Sequence, residues 1–153
     1  MLPSTVERVP RHTPDRYNAA IRQKTEANVA HYAREGREAI DRRLAELDRE
    51  WDLERVLEAN AASVAMVGLG LGALVNRKFF ALPGLVAAFL LQHALQGWCP
   101  PVPLFRRLGV RTAAEINQER FALKSLRGDF QHLPAGAGID HTLVRSTLQA
   151  VGR

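Results

Sequence analysis

The sequence predicts an all-α chain: a two-helix transmembrane hairpin, preceded by a long amphipathic helix and followed by one or two short helices. Three observations carry this expectation. All 16 acidic residues lie within 1–58 or 115–153, so Ala59 to Ala114 holds none, against five Arg or Lys. Two charge-free apolar runs fill that gap, separated only by Arg77-Lys78. The flanks are rich in helix formers and carry recognisable helix start and stop signals. With 153 residues there is room for one ordinary domain and little more. Eleven glycines and one cysteine exclude collagen-like and disulfide-rich classes, and the apolar centre excludes a wholly disordered one.

Residues 1–13 are expected to be disordered, since Pro3 and Pro10 interrupt them and nothing is periodic. No signal-length apolar run precedes residue 15, so insertion is expected to use internal segments. Thr13-Pro14-Asp15 reads as a helix start, with a capping hydroxyl, a proline suited to the first turn and an acid at the positive dipole end. A cytoplasmic amphipathic region over 14–58 follows, which Gly36 divides. Ile40, Leu44, Leu47 and Trp51 recur at spacing 4-3-4 and form one stripe. Its partner is another copy, the C-terminal tail, the membrane surface or a cytoplasmic protein docking on the 40–57 face.

Ala59–Asn76 gives 18 residues without a charge, about 27 Å as a helix against a bilayer core of about 30 Å. A second span covers 79–98, with Pro83 tolerated in its first turns and Pro100, Pro101 and Pro103 ending it. The hairpin thus occupies 59–98. A soluble hairpin would need other apolar elements to wrap it, and the flanks lack them. The tail, 99–153, begins with an irregular interfacial stretch. Thr112 and Glu115 then form a capping box for a helix over 113–127 that Gly128 stops. LPAGAG (133–138) reads as a linker, and Asp140 caps a last helix over 141–151.

Both ends of a hairpin share one side of the membrane. Seven arginines (42, 43, 49, 55, 106, 107 and 111) flank that side against Arg77 and Lys78 in the turn. The positive-inside tendency then puts both termini in the cytoplasm of a multi-pass bacterial inner-membrane protein. The net charge of +5 is not gathered beside aromatics, and the N-terminal helix alternates sign, so nucleic acid is not an expected partner.

Gly68-x-Gly70-x-x-Ala73 matches a relaxed dinucleotide-binding pattern, but no acid follows until Glu115 to hold a ribose, and no cofactor is expected. Membrane packing explains the glycines better. Ala61, Ala65, Gly68 and Gly72 share a small-residue face, and Gly84 and Ala88 offer another in the second span. Such faces serve either a homodimer or packing within the hairpin. Gln92, His93 and Gln96 form a polar intramembrane cluster, read as a ligand or transport site or, more simply, as a hydrogen bond to Asn60 or Ser63. Cys99 is a candidate reactive thiol, with Arg106 and Arg107 as cations that favour a thiolate. The histidines at 12, 31, 132 and 141 have no metal-ligand spacing, and no hydrolase motif or paired carboxylates stand near the spans, so neither a metal nor catalysis is expected.

Gly97-Trp98-Cys99-Pro100 followed by Leu108-Gly109-Val110-Arg111-Thr112 resembles the YgaP-like transmembrane domain family over about residues 59–112. The resemblance implies a small bacterial inner-membrane module, two helices per chain and a homodimer. It does not extend to the rhodanese domain that precedes this module in the family's namesake, because residues 1–58 contain no cysteine. Only Cys99 maps onto the family's Cys-Pro step. The expected function is a membrane-anchored helical interaction module, with the lipid bilayer, a second copy and a cytoplasmic protein as partners. The alternatives are a sulfur or redox relay through Cys99 and a soluble apolar-binding bundle.

Overall fold

The computed structural model describes residues 4–131 and 141–152, which are helical throughout, with no strand among them. The helices are α1 (Asp15–Glu35), α2 (Arg37–Leu47), α3 (Leu53–Leu74), α4 (Ala81–Gln96), α5 (Val102–Arg107), α6 (Ala113–Arg127) and α7 (His141–Gly152). Two compact units divide the chain: residues 1–22 with 51–114, and residues 23–50 with 115–153. The 133–138 linker and the Asp140 cap lie outside the described residues.

In the first unit the N-terminal stretch departs from expectation. Residues 4–12 are wound into turns by Arg8 N–H donating to Ser4 and Arg11 N–H to Glu7, and Pro10–His12 form a 3-10 turn. Long-range contacts order this stretch, and no periodicity announces them. Thr13 does not cap α1: its hydroxyl donates back to the Val9 carbonyl at 2.9 Å, and the Pro14 carbonyl accepts the first α1 amides.

Helix α3 starts at Leu53, ahead of the apolar run, because Asp52 caps it by accepting the Arg55 amide at 2.8 Å. After Leu74 the Asn76 side chain accepts the Lys78 amide at 2.9 Å and starts a 3-10 turn, Arg77–Phe80, that runs into α4. Gly97 ends α4 with φ +77°, a left-handed cap that favours glycine. The stretch expected to be irregular contains α5, a short helix with Pro103 in its first turn, where the missing amide costs no helical bond. Val9, Leu53, Leu57, Cys99 and Val102 form the core of this unit, with Phe89, Phe105 and Val110 against it.

In the second unit the α2 stripe finds its partner in the tail. Ile40, Leu44 and Leu47 are buried with Ile116 and Leu123 of α6, and Val29 and Tyr32 of α1 pack on them. That closes most of the face offered to a cytoplasmic partner. Trp51 leaves the stripe: the chain turns after Leu47, Asp52 opens a new helix, and Trp51 stays 47% exposed under the Arg55 guanidinium, 4.4 Å from its ring centroid. Gly36, at φ +91°, separates α1 from α2. Glu119 is fully buried and accepts from Arg43 Nε at 2.7 Å and Asn28 at 3.3 Å. Lys124 is also buried, donating to the Val151 carbonyl at 2.7 Å and so holding the end of α7.

Candidate functional site

The residues that carry chemistry in the first unit gather where α3 begins and α4 ends. Dipole logic explains part of the arrangement. A helix end leaves carbonyls without intrahelical partners, and a cation placed there gains both hydrogen bonds and charge complementarity. Arg8 fills that role for α4, with Nη1 donating to the Ala94 carbonyl at 2.8 Å and the His93 carbonyl at 3.4 Å. Its Nη2 donates to Glu54 Oε1, in the first turn of α3, at 3.1 Å. Gly97 makes room for this contact, since a Cβ there would lie 2.5 Å from the Arg8 backbone carbon.

The three polar residues expected to cluster do not share an environment. His93 is buried, Gln92 is half-buried and Gln96 is exposed. Neither ring nitrogen of His93 has a hydrogen-bond partner in the protein, and Glu54 Oε2 and Arg8 Nε are likewise buried without one. The anticipated bonds to α3 do not form: Ser63 donates to the Ala59 carbonyl at 2.8 Å, and Asn60 lines a crevice. The sequence marks Arg8 and Glu54 only weakly, as an isolated arginine between two prolines and an acid shortly before the acid-free gap.

Cys99 is 3% exposed. Burial pushes its thiol up from the ordinary range, while the Val102 amide pulls the other way. A thiolate is the reactive form, so this environment opposes reactivity. Of the two cations expected to help, Arg106 is buried and engaged, donating to the Val110 carbonyl at 3.1 Å and to Asn18 Oδ1 at 2.9 Å, and Arg107 is exposed. Cys99 nevertheless borders an apolar crevice of about 180 Å³ between α3 and α4, along with Leu57, Ala61, Val64, Val86 and Phe89.

Gly68 and Gly72 are buried between these two helices. A Cβ at Gly68 would stand 2.9 Å from Pro83 Cδ and 3.1 Å from Leu82 Cβ, and one at Gly72 2.7 Å from the Phe80 ring. These glycines serve packing within the chain. Ala65 is half-buried, whereas Gly84 meets nothing within 4 Å and Ala88 is exposed. Among the described residues no group of three or more His, Cys, Asp or Glu is placed to hold a metal ion.

No family model, curated protein or solved structure matches this chain.

Two helical stretches, Leu53–Leu74 and Arg77–Gln96, are long and apolar enough to cross a membrane. Only 22% of the first apolar window and 6% of the second are buried within the chain. Met66, Val67, Leu69, Leu74, Leu85, Leu91 and Leu95 all stand exposed along them.

Proposed function

We propose that the chain is a small integral membrane protein, its α3–α4 pair inserted as a hairpin in a bacterial inner membrane with both termini cytoplasmic. One observation carries this reading: α3 and α4 are apolar on the sides that none of the described residues covers. A core helix of a soluble protein is buried, whereas these windows are left bare over most of their residues. Apolar patches of that extent do not remain in contact with water. Lipid tails cover them at no cost in backbone hydrogen bonding, because both segments satisfy their own amides. The arginine bias toward the flanks supports the cytoplasmic placement.

The module's role is that of an anchored interaction unit. Gly68 and Gly72 are spent inside the chain, so a homodimer uses the outer side of α4, where Gly84 and Ala88 allow close approach. On the cytoplasmic side the stripe at 40, 44 and 47 is occupied, and a partner on the 40–57 face meets the exposed Trp51–Arg55 stack. The relay reading is disfavoured by the burial of Cys99, and a Cys99→Ser chain is expected to retain the wild-type phenotype.

Fractionation tests the central reading. The full chain is expected in the membrane pellet after an alkaline carbonate wash and in the soluble fraction only with detergent. Recovery in the carbonate supernatant overturns insertion and returns the chain to the soluble-bundle alternative.

A further inference from the structure

We infer that the crevice between α3 and α4 seats one acyl chain of a phospholipid from the cytoplasmic leaflet, laid along the two helices with Cys99 on the floor beneath it. The inference rests on the hairpin reading and names the lipid group that the hairpin takes up. The helix pair is closed where Gly68 meets Pro83 and Gly72 meets Phe80. One turn from Gly68, at Val64, begins the gap of about 180 Å³. It extends along α3 back to Leu57, about 10 Å at the helical rise, with Val86 and Phe89 as its α4 wall. Leu57 and Cys99 are buried at its floor, whereas Asn60, Val64 and Pro100 are exposed at its mouth. The crevice therefore opens along one side to whatever surrounds the pair.

The chemistry of the lining selects the occupant. Apart from Asn60 and the Cys99 thiol, every side chain around the crevice is hydrocarbon. An ordered water needs about two to four polar partners, which the floor does not offer. Left empty, the walls forfeit their dispersion contacts on that side. An apolar guest restores them, and an apolar cavity of about 150 Å³ already holds a molecule the size of benzene. Shape favours a chain over a compact ring, because the slot follows the helix axes for about a third of a bilayer core of about 30 Å. Lipid tails run in that direction and reach the mouth without leaving the bilayer. Asn60 at the mouth then offers an amide donor to an ester carbonyl of the same lipid.

Photolabelling in a bilayer tests the seat. The full chain is reconstituted in phosphatidylethanolamine–phosphatidylglycerol vesicles containing a phosphatidylethanolamine with a diazirine in one acyl chain, irradiated and mapped by mass spectrometry. Adducts are expected at Phe89 and Cys99 as well as at Leu85 and Leu91, which stand exposed on α4 away from the crevice. Ala61→Phe places a ring in the crevice and is expected to abolish the first pair of adducts while keeping the second. Val86→Phe fills it from the opposite wall if Ala61→Phe lowers helical content. Adducts at Leu85 and Leu91 alone overturn the seat and leave the hairpin standing, whereas adducts at none of the four overturn both. Crevice adducts undiminished in the filled variants also overturn it. A Val64→Cys/Cys99→Ser chain that forms disulfides between copies in these vesicles gives the crevice to a second copy instead of a lipid, and so overturns it too.

Discussion

Replacing Arg43 with methionine is expected to destabilise the second unit by about 3–5 kcal/mol, the range for breaking one side of a buried ion pair. Glu119 is 0% exposed and accepts Arg43 Nε at 2.7 Å, with Asn28 Nδ2 at 3.3 Å and 3.4 Å from its two oxygens. Burial opposes the guanidinium charge, but the hydrogen bonds to Glu119 and Glu46 overcome it and hold Arg43 well above its ordinary range. Methionine keeps an unbranched apolar chain but removes the guanidinium, with its place 5.6 Å over the Tyr32 ring centroid, so the loss falls mainly on a buried carboxylate deprived of its cation. Arg43→Met/Glu119→Leu is expected to recover most of the stability, since an apolar pair of similar volume often matches a buried ion pair. Glu46→Gln, at the exposed 2.9 Å contact, should cost only a few tenths of a kcal/mol. Hydrogen exchange of the α2 and α6 amides in the full chain measures all three. A single-variant loss below about 1 kcal/mol contradicts the burial argument.

That pair also marks the limit of what the sequence discloses. The α6 helix is legible because its signals are local: Thr112 before it, Glu115 in its first turn and Gly128 after it, with Gly128 at φ +91°. The two apolar helices are legible because apolar length and missing charge are properties of a window. Arg43 and Glu119 stand 76 positions apart, and Arg8 and Ala94 stand 86 apart. Nothing near any of these residues distinguishes it from a solvated neighbour. Trp51 fails for a related reason. A 4-3-4 spacing holds a stripe only while one helix continues, and the turn between α2 and α3 breaks the phase before residue 51 is reached. At the candidate site Cys99 and His93 stood out by residue type. Val9, which packs with Cys99, and Arg8, which joins the end of α4 to Glu54, arrive from distant positions and carry no such mark.

The glycine face of α3 gives the other large effect, and its ordering separates packing within the chain from packing between chains. Gly68→Ile is expected to loosen the α3–α4 pair by at least the upper part of the usual overpacking range of about 1–3 kcal/mol. The atoms it meets, Pro83 Cδ and Leu82 Cβ, are fixed to the α4 backbone, so the helix itself must move. Gly72→Ile meets the Phe80 ring at 2.7–2.9 Å, but that side chain is 46% exposed and can rotate away, so a smaller loss is expected. Gly70→Ile meets nothing within 4 Å and should be neutral, or slightly stabilising through the higher helix propensity of isoleucine. Unfolding in mixed micelles of increasing SDS content, followed by circular dichroism, ranks the three. In the bilayer, small residues contribute by letting backbones and rings approach, so a lost approach is a lost van der Waals interface rather than a lost hydrophobic one. If the dimer uses the outer side of α4, Gly84→Ile reduces crosslinking between copies while leaving the SDS midpoint in place, and Gly68→Ile does the reverse. A Gly68→Ile chain that keeps its SDS midpoint but loses its crosslink would move the glycine face from the inside of the pair to the surface between copies.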